Sequence, residues 1–172
     1  MIGSGHNHFL IWIIFMLFIR SALIAIFLMS SMSLASAQEQ PESMPLTVGG
    51  DGYTLTIAAL EKMPQAEIVT TTPFTPGKVK FEGVLLRDLL KAAKLSSSKL
   101  RMTALNDYQV EVPASDAERY DVIVAYKLDG RYMRIRDKGP FWLIYPLDQH
   151  PELQNEATAT KMIWQMKTIE GE

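Results

Sequence analysis

Phe141 to Tyr145 is an unbroken run of five apolar residues, bounded by Gly139-Pro140 on one side and Pro146 on the other. A run that is apolar at every position, rather than at alternate ones, has no face to give to water. It predicts a short strand buried on both sides. Such a strand needs packed layers above and below it, so the chain has to fold as a sheet-based domain around a core. The approach to this run is opposite in character, because Arg131, Arg134, Arg136 and Lys138 crowd it. The spacing predicts a strand over 131–136 in which Arg134 and Arg136 share one face. Asp137-Lys138-Gly139-Pro140 reads as the turn between the two strands.

The first 37 residues read as an export signal. Phe9 to Met29 is almost wholly apolar, Arg20 interrupts it, and Ala35-Ser36-Ala37 matches an A-x-A cleavage site before a polar Gln38-Glu39-Gln40. Starting from Met16 places Arg20 ahead of a short apolar core, in the order that signals use, so Met16 is read as the true start. The alternative is an uncleaved anchor over Phe9–Met29, in which Arg20 at mid-bilayer would cost roughly 2.5–3.5 kcal/mol. Cleavage after Ala37 is the reading taken, and it gives a periplasmic product. Residues 38–45 then form a flexible lead-in and 46–172 a single domain. The chain carries 17 basic and 19 acidic side chains, a net charge of −2. That balance argues against a nucleic-acid partner, which needs a basic footprint. With no cysteine anywhere, disulfides, thiolate metal ligands and thiol nucleophiles are excluded.

Further along, 46–48, 67–72 and 78–81 read as strands, and Thr56 as the N-cap of a short helix stopped by Pro64. Leu85, Leu86, Leu89, Leu90 and Ala93 form one apolar stripe at helical spacing, a packing face with no chemistry of its own. Asn106-Asp107 and Asp129-Gly130 each separate two strand-like runs and predict hairpins, the second with a type I′ turn. Ser115-x-x-Glu118 reads as a capping box. Residues 147–160 read as irregular, and 161–170 as a closing strand with Met162, Trp164 and Met166 on one face. Hairpins mixed with a few helices, without βαβ alternation, indicate an α+β domain.

Standard catalytic constellations are absent. His150 is the single histidine after the leader and sits in a proline-flanked loop without an orienting partner, which suits a surface residue better than a base. One histidine and no cysteine exclude a usual zinc site. What remains is the cationic edge, where guanidinium geometry suits a phosphate or carboxylate and the backbone at Lys138-Gly139 adds N–H donors. The competing reading is a solvated cluster paired with Asp116, Glu118, Asp121 or Asp137.

Five stretches, F-E-G-V-L-L-R-D-L-L (81–90), L-N-D-Y-Q-V-E-V-P (105–113), D-V-I-V-A-Y-K-L-D-G (121–130), R-D-K-G-P-F-W-L-I-Y-P (136–146) and K-M-I-W-Q-M-K-T-I (161–169), run in an order and spacing that resemble the oxidoreductase molybdopterin-binding domain of the sulfite oxidase superfamily. The resemblance implies an α+β fold with a mixed, partly barrel-like sheet and a few short helices. It also implies a cysteine thiolate on molybdenum about ten residues before the aromatic-x-Gly that opens the leucine helix. Here that position falls near Thr71, and a threonine hydroxyl does not ionise as a metal-bound thiol does. The expectation is a non-catalytic module without a cofactor, its cleft formed by Arg134, Arg136, Lys138, Gly139, Asn106 and Asp107. It would bind a small anionic ligand or the periplasmic face of a membrane sensor or other partner. The alternatives are a molybdopterin-dependent oxidoreductase with a non-cysteine ligand, and a structural subunit that uses the cationic edge as an interface.

Overall fold

The computed structural model describes residues 44–172. The expected leader, its cleavage, the Met16 start and the lead-in before Met44 lie outside that range. Two five-stranded sheets, neither closed into a barrel, share one hydrophobic core. The first sheet contains β1 (Leu46–Val48), β2 (Tyr53–Leu55), β5 (Lys99–Ala104), β6 (Gln109–Pro113) and β10 (Met166–Gly171), in the order β2-β1-β10-β5-β6. The second contains β3 (Gln65–Thr71), β4 (Lys78–Leu85), β7 (Ile123–Leu128), β8 (Arg131–Tyr132) and β9 (Trp142–Ile144). Its backbone order is β3-β4-β7-β8, with β9 also pairing to β7. Pairings are antiparallel except β1 with β10, so the first sheet is mixed, the second antiparallel, and the class is α+β.

The apolar run behaves as its composition requires. Phe141 to Tyr145 are all fully buried, and β9 lies against the first half of β7 in the register Val124↔Leu143. The leucine helix, Leu86–Ala92, buries Leu86, Leu89 and Leu90. Thr56 caps the helix Ile57–Leu60, its hydroxyl accepting from the Ala59 N–H at 3.2 Å. At the β7–β8 hairpin Asp129 and Gly130 both have positive φ, +47° and +77°, as a type I′ turn demands.

Four expectations are corrected. Arg131 to Arg136 is not one strand. β8 ends at Tyr132, and Ile135–Asp137 is a 3₁₀ turn. The reason lies in β7, whose single free edge has to serve both β8 and β9. The chain leaves that edge after the Met133 N–H has bonded the Tyr126 carbonyl at 2.9 Å, and returns beside Ala125 at Trp142. Arg134 and Arg136 therefore sit on the excursion between the two strands and share no strand face. Likewise, 161–170 is not one strand. Leu143 N–H bonds the Ile163 carbonyl, Met166 N–H bonds the Phe141 carbonyl, and Gln165 takes a positive φ of +51°. That residue breaks the alternation, and Met162 and Ile163 are drawn into the core while Trp164 turns outward. Finally, Ser115 does not cap its helix (Ser115–Arg119), because the backbone is already helical at Ala114. Residues 147–160 are also more regular than they read. They hold a 3₁₀ turn, Pro151–Leu153, and the helix Glu156–Lys161, capped by Asn155 through the Thr158 N–H at 2.9 Å.

Candidate functional site

β3 alternates, burying Ile68 and Thr70 and exposing Val69 and Thr71, and so it delivers the Thr71 hydroxyl to the surface at its end. There it meets Asp148, which follows the buried strand and Pro146. Thr71 donates to Asp148 Oδ1 from its hydroxyl at 2.6 Å and from its backbone N–H at 3.2 Å. Lys78 Nζ lies 2.9 Å from Asp148 Oδ2. Thr70 closes the knot from below, its buried hydroxyl accepting from the Asp148 N–H at 3.1 Å. The Thr71 hydroxyl, then Lys78, hold the Asp148 carboxyl down at about 2. Every polar atom at the expected ligand position is thus tied to a neighbour.

Beside the knot runs a cleft of about 530 Å³, between the Thr71-Thr72-Pro73 turn and the start of the Glu156–Lys161 helix. Ala159 of that helix is common to this cleft and to a second one of about 370 Å³, lined by Phe74, Asn106, Tyr108, Met162, Ile163 and Trp164 among others. The wall of the second cleft is pre-formed. Phe74 stands edge-on to Trp164 with centroids 5.0 Å apart, and Trp164 stands 6.1 Å from buried Trp142. Trp142 is held by its indole N–H, which donates to the Met162 carbonyl at 3.0 Å. Lys138 Nζ lies 5.6 Å from the Trp142 centroid, and no ion pair joins it to a carboxylate among the described residues.

The residues expected at one site are therefore divided. Thr71 and Asn106 line the two clefts. Lys138 belongs to the aromatic cluster behind the second. Asp107 is exposed and bonded to Lys167 Nζ at 2.5 Å. Gly139 is a packing residue, since a Cβ there would stand 2.0 Å from the Met133 carbonyl oxygen. Arg134 and Arg136 point to solvent and line neither cleft; Arg134 Nε bonds Asp137 at 2.6 Å, whereas Arg136 stays 4.0 Å from that carboxylate. Sequence reasoning missed Asp148, Lys78, Phe74 and Trp164. Phe74 carried a usable signal, an aromatic beside the ligand position, whereas the partnership of Asp148 with Thr71 spans 77 residues and had none.

A third cleft, about 330 Å³, opens beside β3 at Glu61, Gln65, Tyr126 and Lys127. It is saturated from within. Glu61 accepts from Tyr132 Oη at 2.5 Å and from Lys127 Nζ at 3.1 Å, and the ammonium also stands 4.4 Å from the Tyr132 ring centroid. His150 is half-buried edge-on to Tyr120, with Glu152 3.5 Å away.

One mixed and one antiparallel sheet around a shared core, with a cleft at the end of β3, define a domain of the molybdopterin-binding type. Residues 34–148 match the oxidoreductase molybdopterin binding domain family, and the chain belongs to it. Among solved structures it is similar to the sulfane dehydrogenase SoxCD from Paracoccus pantotrophus, at 16% identity and a TM-score of 0.56. The similarity covers 77% of this chain but 38% of that one, so it concerns the fold alone. No curated protein matches.

The family implies a molybdenum–pterin cofactor, and the residues present do not fit one held as the family holds it. No thiol exists in the chain. The Thr71 hydroxyl, nearest the position that the resemblance implies for the ligand, is committed to Asp148, and among the described residues no group of three His, Cys, Asp or Glu side chains is arranged to hold a metal.

Proposed function

We propose that this chain is an exported, non-catalytic binding module that keeps the molybdopterin-domain scaffold and uses the clefts beside Thr71 for a small ligand. The observation that carries the reading is the Thr71–Asp148–Lys78 knot: the hydroxyl nearest the expected ligand position is bound by a carboxylate whose charge Lys78 balances. Next to it the aromatic cleft stays open, with Phe74 and Trp164 as its wall. Support for an anionic ligand comes from Lys138, an ammonium 5.6 Å from the Trp142 ring centroid that forms no ion pair among the described residues. A flat anion, such as an aromatic carboxylate, has both the ring to stack and the charge to meet it.

Elemental and pterin analysis of the folded protein from its own host tests the first half of this reading. Absence of both molybdenum and pterin is expected; stoichiometric amounts of both would overturn it in favour of an oxidoreductase with an unusual ligand. For the second half, a thermal-shift series of aromatic carboxylates should raise the melting temperature of wild type but not of the K138A and W164A variants. A series in which no member shifts wild type refutes the ligand class.

A further inference from the structure

The excursion between β8 and β9 has a feature that neither the clefts nor the core explains. Ile135 is 45% exposed at the tip of the 3₁₀ turn, and the side chains flanking it, Arg134 and Arg136, are 57% and 71% exposed. A flexible loop could fold such a residue away, but this loop is held. The Asp137 and Gly139 N–H groups both donate to the Arg134 carbonyl at 2.8 Å. Gln165 clamps the tip from the other side, its side-chain amide donating to the Ile135 carbonyl at 2.7 Å and its N–H to the Lys138 carbonyl at 3.1 Å. At the base, Gly139 is pressed against Met133 with no space for a side chain. The fold thus fixes a β-branched apolar residue in water between two guanidinium groups. Trp164, the residue before the clamp, is a second large apolar side chain left exposed nearby.

We propose that this tip is a lipid-contact element that inserts Ile135 into the interfacial layer of an anionic bilayer while Arg134 and Arg136 bind headgroup phosphates. An aliphatic wedge ringed by cations, with a tryptophan beside it, is the chemistry of interfacial attachment. A protein partner fits less well, since a stable interface needs about 800 Å² from each side, more than one tight turn presents. Against an overall charge of −2, residues 131–138 carry four cations, Arg131, Arg134, Arg136 and Lys138, and one carboxylate, Asp137. Attachment is reversible and salt-sensitive, as expected of one wedge and two cations.

The chain contains no cysteine, so a polarity-sensitive fluorophore can be placed on I135C in the full chain, with V69C, on the exposed face of β3, as a control site. Vesicles rich in phosphatidylglycerol should shift the I135C probe to the blue, vesicles of phosphatidylcholine should not, and the V69C probe should stay unshifted in both. Each cation near an anionic surface is worth about fivefold in partition. Because R134E/R136E removes two cations and adds two repelling carboxylates, it should weaken partition by at least about a hundredfold. The proposal is overturned by an I135C probe that stays in water with anionic vesicles, or by a shift equal in phosphatidylcholine or at V69C. An R134E/R136E variant that binds like wild type overturns it as well.

Discussion

The Asp148 knot can be weighed through its charge. Replacing Asp148 by Asn preserves shape and an acceptor for Thr71 but removes the charge that meets Lys78. The carboxyl lies near 2 when folded, against 3.8 for an unperturbed group, and one unit corresponds to about 1.4 kcal/mol. Taken whole, that sets a ceiling of roughly 2.5 kcal/mol. Lys78 is 58% exposed while Asp148 is 19% exposed, so solvent screens part of the attraction and a contribution of about 1–2 kcal/mol is expected. The sign follows from the direction of the shift. A carboxylate held below its unfolded value stabilises the fold fully above about pH 4, and that stability is lost as the pH falls through about 2. Urea unfolding followed by the fluorescence of buried Trp142 should place D148N about 1–2 kcal/mol below wild type at pH 7. The two proteins should converge as the pH approaches 2. A difference that is the same at both pH values, or no difference at pH 7, would refute the view that this charge stabilises the ligand position.

Three further outcomes test the frame around the site. G139A should lose about 2–3 kcal/mol in urea unfolding, since its methyl would meet the Met133 carbonyl, backbone tied to β7 through the Met133 N–H bond to the Tyr126 carbonyl. Y145F should cost about 1 kcal/mol at neutral pH, because the Tyr145 hydroxyl, its ionisation pushed up by burial, donates to Asp116 Oδ2 at 2.8 Å; Lys161 Nζ, 2.6 Å from the same oxygen, keeps Asp116 paired. N155A should cost about 1 kcal/mol by uncapping the Glu156–Lys161 helix. In the last variant, hydrogen exchange should rise first at the Thr158 N–H.

Where local composition decides local structure, the reading from sequence and the fold agree. Phe141–Tyr145 had no polar position to spare, Asp129-Gly130 suits only one tight turn, and the leucine stripe suits only a helix face. The disagreements arise where two segments compete for one partner. Arg131–Arg136 has the pattern of a strand, but the edge of β7 is shared, and the more apolar β9 takes half of it. Met162-x-Trp164-x-Met166 alternates correctly, yet Ile163 and Met166 are both needed beside β9, and Gln165 absorbs the mismatch in its positive φ. Neither conflict is visible in a window of ten residues, because each is settled by a strand elsewhere in the chain.

The candidate site depends on the same non-local logic. The spacing implied by the family resemblance falls near Thr71, and in the structure β3 and β4 form one antiparallel pair with the register Thr71↔Lys78. That register also puts Lys78 opposite Thr71, and the chain leaving β9 brings Asp148 to both. A lone Thr at the end of β3 would leave an idle hydroxyl at the mouth of a cleft. With Asp148 accepting from it and Lys78 balancing the charge, the position becomes a closed electrostatic unit. Restoring a thiol there would break both Thr71 side-chain and carboxylate pairing while leaving an anionic Asp148 next to a would-be thiolate, a like-charge contact that raises the thiol's pKa and disfavours the metal-binding form. T71C alone should therefore recover no metal affinity, whereas adding D148N removes the repulsion.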